Sequence, residues 1–267
     1  MENVYDERSV IEVAVEAGSI LVENGAEISR VEDTIKHICA HYGLYDEEFY
    51  VLVNGLFMAG GASDKTDPRM GRQFATVKYI PNRSVQLEKI VAVNQLSREI
   101  EAGKHTIEEA KKELERIRNI KGKSMASLLF FSGVGSMCFC YMLGGTWRDS
   151  IVAFGAGFLL YLFFLWMGKH HLSRITSHVV SSALAAFVCL ICYQLGIGDN
   201  LNGMLIGAII PLIPGSVFIS GVRDLADGHH LSGAVRLLEA TILFVCIAIG
   251  IGAVLLVYHE MFGGVLI

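Results

Sequence analysis

Ser216, Ser220, Arg223, Asp224 and Asp227 recur at intervals of three or four residues, the spacing that puts side chains on one face of a helix. Hydroxyls, a guanidinium and carboxylates in one stripe suit the binding and passage of a small polar solute. The stripe belongs to an unusual stretch, GMLIGAIIPLIPGSVFISGVRDLAD from Gly203 to Asp227, which is apolar enough to cross a bilayer yet is broken near its middle. Pro211 and Pro214 remove backbone donors and Gly215 tolerates conformations that other residues avoid, so a helix is predicted to stop near Ile210 and restart near Ser216. Ser216 would cap the second half. At membrane depth, freed backbone groups are tolerated only inside protein or along a wet cavity, and half-helices of this kind build substrate sites in secondary transporters. On this reading Pro211, Pro214, Gly215 and Ser216 supply backbone groups to a substrate, Ser220 a hydroxyl, and Arg223 and Asp224 a gate or carboxylate contact. The alternative is a proline kink packed against its neighbours, with its polar end at the headgroups.

Glu239 falls about one turn inside the last apolar segment, three residues after Arg236. An intramembrane carboxylate is costly and points to function, here proton coupling; the competing reading is an interfacial Arg236/Glu239 pair on one helix face. Other chemistry-bearing residues fall short of a site. The pairs His170-His171 and His229-His230 have no cysteine or carboxylate set at ligand spacing beyond Asp227, so no metal is expected. Cys138, Cys140, Cys189, Cys192 and Cys246 lie in apolar segments and read as packing residues. The loop GGASDKTDPRMGR, Gly60 to Arg72, carries Lys65, Arg69 and Arg72 but lacks the spacing of any nucleotide motif. No nucleophile, base and orienter set is found, so the chain is not expected to be an enzyme, and no cofactor is expected.

The elements that must hold these residues divide unevenly along the chain. Of 22 Lys and Arg, 17 precede residue 125; of 27 Asp and Glu, 21 do. This asymmetry and 52% hydrophobic residues overall predict a soluble domain, residues 1–122, followed by a membrane domain, residues 123–267. A net charge of −5 argues against nucleic acid as a partner, and the acidic start MENVYDERS is not a signal peptide. Helical spacing predicts one helix from Ser9, opened by a Ser9/Glu12 capping box and ending at Asn24-Gly25, and a second ending at Gly43. Two strands buried on both faces are predicted over Glu48–Met58 and Phe74–Ile80. Helices over Ser84–Ala102 and Thr106–Ile120 follow, the latter opened by a Thr106/Glu109 capping box.

Beyond Lys121-Gly122-Lys123 come five apolar segments, roughly Met125–Leu143, Ile151–Met167, Val179–Ile197, Gly203–Val222 and Leu237–Tyr258. The fold class is therefore an α-helical integral membrane protein with about five transmembrane helices, preceded by a cytosolic α/β domain. Lys121, Lys123, Lys169, Arg174, Arg223 and Arg236 fall on one side and Arg148 on the other, which puts the N-terminus in the cytosol and the C-terminus outside. Small residues within the segments, among them Gly133, Gly157 and Gly207, suit close packing of helices.

Two stretches carry a family likeness. NGAEISRVEDTI, Asn24 to Ile35, and PLIPGSVFISGVRDLADGHHLSG, Pro211 to Gly233, together resemble the threonine/serine exporter family, often written ThrE, and the likeness covers nearly the whole chain. It implies a cytosolic N-terminal domain, membrane helices, and export of a small polar metabolite such as an amino acid or a dicarboxylate across the cytoplasmic membrane, driven by ion or substrate gradients. Longer members carry a second hydrophobic half with its own Pro-x-x-Pro-Gly segment, and in split members a short separate membrane protein supplies it. The resemblance thus implies a partner, either a second small membrane subunit or another copy of this chain. Five spans start inside and end outside, so two such halves would form an inverted repeat with the site between them near midplane. Arg30 and Glu32 are carried over from the family stretch as an ion pair or a contact with the membrane half. The rival function is a membrane-tethered sensor or scaffold whose cytosolic domain binds a ligand. A transporter should place Ser216, Ser220, Arg223, Asp224 and Glu239 around one cavity, whereas a scaffold has no such need.

Overall fold

The computed structural model of the chain describes residues 7–45, 48–60, 74–81, 84–170 and 172–262. The Gly60–Arg72 loop considered above lies almost wholly outside them, as do His171 and the last five residues. The chain forms two compact units: Met1–Gly122 together with Ser216–Leu237, and Lys123–Gly215 together with Leu238–Ile267. The contacts thus group Ser216–Leu237 with the N-terminal residues, a grouping that apolar content along the chain does not reveal.

The first unit opens with α1 (Glu7–Glu23) and α2 (Ile28–His41). Gly25 and Gly43 follow them with φ of 85° and 83°, left-handed values that glycine adopts without the Cβ penalty. Because α1 already contains Glu7 and Arg8, Ser9 and Glu12 lie within its first turns and form no capping box. Three strands follow, β1 (Glu48–Leu52), β2 (Gly55–Gly60) and β3 (Phe74–Tyr79), in one antiparallel sheet of order β1-β2-β3. The predicted single strand over Glu48–Met58 is a hairpin, with Leu52 opposite Gly55 and the turn at Val53-Asn54. Nor is the sheet buried on both faces. Val51, Leu56 and Met58 are buried against the helices, whereas Tyr50, Phe57, Val77 and Tyr79 are exposed. The run of β-branched and aromatic residues hid both the turn and the solvent-facing side. Helices α3 (Leu87–Glu101) and α4 (Ile107–Arg118) complete the N-terminal residues, and the Thr106/Glu109 capping box is formed as expected. One hydrophobic core joins the four helices with β1 and β2, from Val13, Ile20 and Leu21 through Ile35, Val51, Leu56 and Ile100 to Leu114 and Ile117, and Ile80 joins it just after β3.

The second unit holds α5 (Met125–Met142), α6 (Trp147–Lys169), α7 (Arg174–Gln194) and α8 (Leu201–Ile209), followed by a single 3-10 turn over Ile210–Leu212. Helix α6 starts earlier than apolar content indicates because Thr146 and Asp149 form a capping box. Asp149, fully buried, also accepts the backbone N–H groups of Asp199 at 2.7 Å and Asn200 at 3.0 Å, tying the α7–α8 connection to the start of α6. Close helix crossings use glycine where a side chain would not fit. A Cβ on Gly157 would lie 2.0 Å from Ser136 Oγ, and one on Gly207 would lie 2.8 Å from the Ser136 carbonyl. The core runs from Val152, Ala156 and Leu160 through Ala185 and Cys189 to Met204, Ala208 and Ile247.

Two further helices, α9 (Gly215–Ala226) and α10 (His230–Phe262), finish the described chain. α5, α6, α7 and α10 are each long and apolar enough to cross a membrane, and Leu201–Leu212 with Gly215–Ala226, bent by 65°, makes a fifth candidate. Helix α10 has 33 residues, about 50 Å at about 1.5 Å per residue, against a hydrocarbon thickness of about 30 Å. Its surplus is taken up at the N-terminal end, where His230–Leu237 pack in the first unit.

Candidate functional site

The break falls where the prolines put it. Helix α8 ends at Ile209 and α9 begins at Gly215. Pro211 has no N–H to offer the carbonyl of Gly207, and that carbonyl is taken by Ile210 instead, one residue early, in the tighter 3-10 manner. Ile213 likewise donates to Ile210 and Gly215 to the Ile213 carbonyl at 2.8 Å. Ser216 is the second residue of α9 and, among the described residues, makes no capping bond there, contrary to the role expected for it.

The polar stripe of α9 does not stay within its own segment. It lies against the first turn of α2, 196 residues away in sequence. Glu27 is the N-cap of α2 and provides no side-chain cap of its own, so the first amide of the helix needs an acceptor from elsewhere. Asp224, with no exposed surface, supplies it: Ile28 N–H donates to Asp224 Oδ1 at 3.0 Å. A carboxylate at a helix N-terminus is also favoured by the macrodipole. The other oxygen, Oδ2, lies 3.2 Å from Arg236 Nε, and Arg236, 3% exposed, donates from Nη2 to the Ala26 carbonyl at 2.7 Å. One buried ion pair thus closes on both sides of the Ala26-Glu27-Ile28 backbone. Around it, Arg223 pairs with Glu27, Ser29 Oγ donates to Asp227 Oδ2 at 2.9 Å, and His229 Nδ1 lies 3.8 Å from Glu32 Oε1.

This buried pair, a lock that holds α9 to the first turn of α2, needs a tight hairpin between α9 and α10. Gly228 turns the chain with φ of 89°, and His229 N–H donates to the Asp224 carbonyl at 2.8 Å. A Cβ on Gly233 would lie 2.8 Å from the Gly221 carbonyl oxygen and 2.7 Å from Leu225 Cγ. Backbone cannot yield there as a flexible side chain can. Gly233→Ala is therefore expected to part the hairpin and destabilise the protein by about 1–3 kcal/mol, the usual cost of overpacking; a melting temperature equal to that of the unaltered chain would remove the hairpin from the account.

The residues singled out from the sequence therefore separate. Arg223 and Asp224 meet the Asn24–Ile35 stretch, so the two stretches that carried the family likeness touch one another. Ser220 is half-buried on α9. Pro211, Pro214 and Gly215 belong to the second unit, as does Glu239, whose carboxylate lies 2.7 Å from Arg174 on α7. Glu32 faces His229, while Arg30 is exposed and among the described residues has no ion-pair partner. Arg236, considered above only as a partner for Glu239, closes on Asp224 and Ala26, and its reach back to Ala26 has no local sequence signal; the contact of Arg174 with Glu239 and buried His178, whose Nδ1–H donates to the Arg174 carbonyl at 2.8 Å, were not foreseen. Among the described residues no group of His, Cys, Asp and Glu is arranged to hold a metal ion.

These apolar helices and the broken fourth segment define a multi-pass membrane protein. The threonine/serine exporter (ThrE) family matches residues 12–258, and the chain belongs to that family. It is 24% identical over 252 residues to the "Threonine/serine exporter" of Corynebacterium glutamicum, covering 91% of this chain and 50% of that protein. It is 20% identical over 248 residues to the "Probable succinate transporter subunit YjjP" of Escherichia coli, covering 92% of this chain and 93% of that one. The "Pheromone-regulated membrane protein 10" of Kluyveromyces lactis is 28% identical over 193 residues, 67% of this chain and 20% of that protein. The chain thus spans half the length of the Corynebacterium exporter, a fifth of the yeast protein and nearly all of YjjP. No solved structure matches it.

Proposed function

We propose that the chain is one half of a secondary exporter of a small polar metabolite, an amino acid of the threonine/serine type or a dicarboxylate, in the cytoplasmic membrane. The observation that carries this is the interruption at Pro211–Gly215 within an otherwise spanning segment, since broken helices at membrane depth serve binding. The names borne by the Corynebacterium exporter and by YjjP support the two substrate classes. In this proposal residues 1–122 face the cytosol and the C-terminal end of α10 faces outside, in keeping with the lysine and arginine distribution. Pro211, Pro214, Gly215 and Ser216 contact the substrate through backbone groups and Ser220 through its hydroxyl. Arg223 and Asp224 act as the gate by holding α9 to the first turn of α2. Glu239 couples protons by exchanging a proton for its contact with Arg174.

A second half, either a short membrane subunit or another copy of the chain, completes the site; that YjjP is named a subunit and is matched over nearly its full length supports this. The test is exchange of labelled threonine, serine and succinate in liposomes. Purified chain held as a monomer is expected to exchange none of them, and the chain with its second half to exchange one class. Full exchange by a monomer would refute the half-transporter reading, and no exchange under any condition, with folded protein present, would refute transport.

A further inference from the structure

A cavity of about 400 Å³ lies between α2 and α3 in the first unit, apart from the broken helix and its prolines. Each wall carries a cation and an anion three residues apart, Arg30 and Asp33 on α2 and Arg98 and Glu101 on α3, and the α2 wall adds Glu27 and His37. Opposite charges at that spacing on a helix ordinarily pair with each other. Here, among the described residues, none of the four makes an ion pair or a side-chain hydrogen bond, so all four are left to face the cavity. The floor carries Ser97, 7% exposed, whose hydroxyl among the described residues has no hydrogen-bond partner. That hydroxyl is thus open to an occupant of the cavity.

We propose that this cavity is a cytosolic binding site for a free α-amino acid. An arginine fork matches a carboxylate through two parallel hydrogen bonds, Asp33 and Glu101 match an ammonium group, and Ser97 gives a polar contact at the floor. With Glu27 already paired to Arg223, Arg30, Arg98, Asp33 and Glu101 remain as two cations and two anions, which favours a zwitterion over a dianion: a dicarboxylate would meet Asp33, Glu101 and Glu27 as like charges, and phosphate would do the same. Glu27 and Ser29 line the same cavity while holding Arg223 and Asp227 of α9. An occupant therefore touches the very side chains that secure α9, and the site is placed to sense the cytosolic amino acid level and bias the lock.

The site is read by hydrogen exchange on the full chain in detergent, without transport, so its failure is separate from failure of the export reading. L-serine or L-threonine is expected to slow exchange in peptides covering α2 and α3. N-acetylserine, which lacks the ammonium, serinamide, which lacks the carboxylate, succinate and phosphate are expected not to. Arg98→Gln and Glu101→Gln, both at exposed positions, are each expected to weaken the protection about tenfold or more with the melting temperature unchanged. Absence of protection in α2 and α3, equal protection by succinate or phosphate, or unchanged protection in both variants would each overturn the proposal.

Discussion

Arg236→Met is expected to destabilise the protein by about 3–5 kcal/mol, the usual cost of removing one member of a buried ion pair. The reasons are local. Asp224, with no exposed surface, would lose the guanidinium 3.2 Å away and be left either as an uncompensated buried charge or as a carboxyl that must take up a proton, and the Ala26 carbonyl would lose its 2.7 Å donor. Methionine fills much of the space, so the loss is electrostatic and not a cavity. Arg223→Gln gives the contrast: the Arg223 side chain is 54% exposed, and an exposed pair contributes about 0–1 kcal/mol. Asp224→Asn falls between, since the amide oxygen can still cap Ile28 while Arg236 loses its counter-charge. Denaturation of the three variants in one detergent should rank them with Arg236→Met lowest and Arg223→Gln near the unaltered chain. Equal stability of Arg236→Met and Arg223→Gln would show that the lock contributes nothing beyond a surface contact.

Much of this architecture can be read from spacing alone, because bilayer thickness dictates the length of an apolar run and proline dictates where a helix cannot continue. The stop near Ile210, the turns at Gly25 and Gly43 and the Thr106 cap are all of that local kind. What could not be read is what depends on pairing at long range. Nothing near Asp224 signals that its acceptor role is for Ile28, and nothing near Arg236 signals Ala26; the polar stripe of α9 looks like a path through a membrane until the first turn of α2 is placed against it. The same holds for α10, whose apolar run conceals that its first turns pack with the N-terminal residues. Val53-Asn54 was lost for a different reason: flanking strands rich in apolar residues read as one, and a two-residue turn leaves little composition of its own.

The largest functional effect is expected at the break itself. Replacing Pro211, Pro214 and Gly215 together by alanine restores two backbone donors and removes helix-interior penalties of about 3 kcal/mol for each proline and about 1 kcal/mol for glycine. Space permits the change at Gly215, where an added Cβ meets nothing within 4 Å. The altered segment should favour a continuous helix over the 65° bend, and the freed carbonyls proposed to meet substrate would be consumed within it. Were the prolines only a packing kink, the same change would disturb neighbours such as buried Leu212, and activity would fall in step with folded protein. The two accounts differ in what happens to stability when transport is lost. The decisive measurement is therefore a paired one on the triple variant assembled with its second half: melting temperature in detergent beside substrate exchange in liposomes. A melting temperature retained or raised with exchange abolished is the predicted result, and exchange unchanged in a folded triple variant would contradict a substrate site at the broken helix.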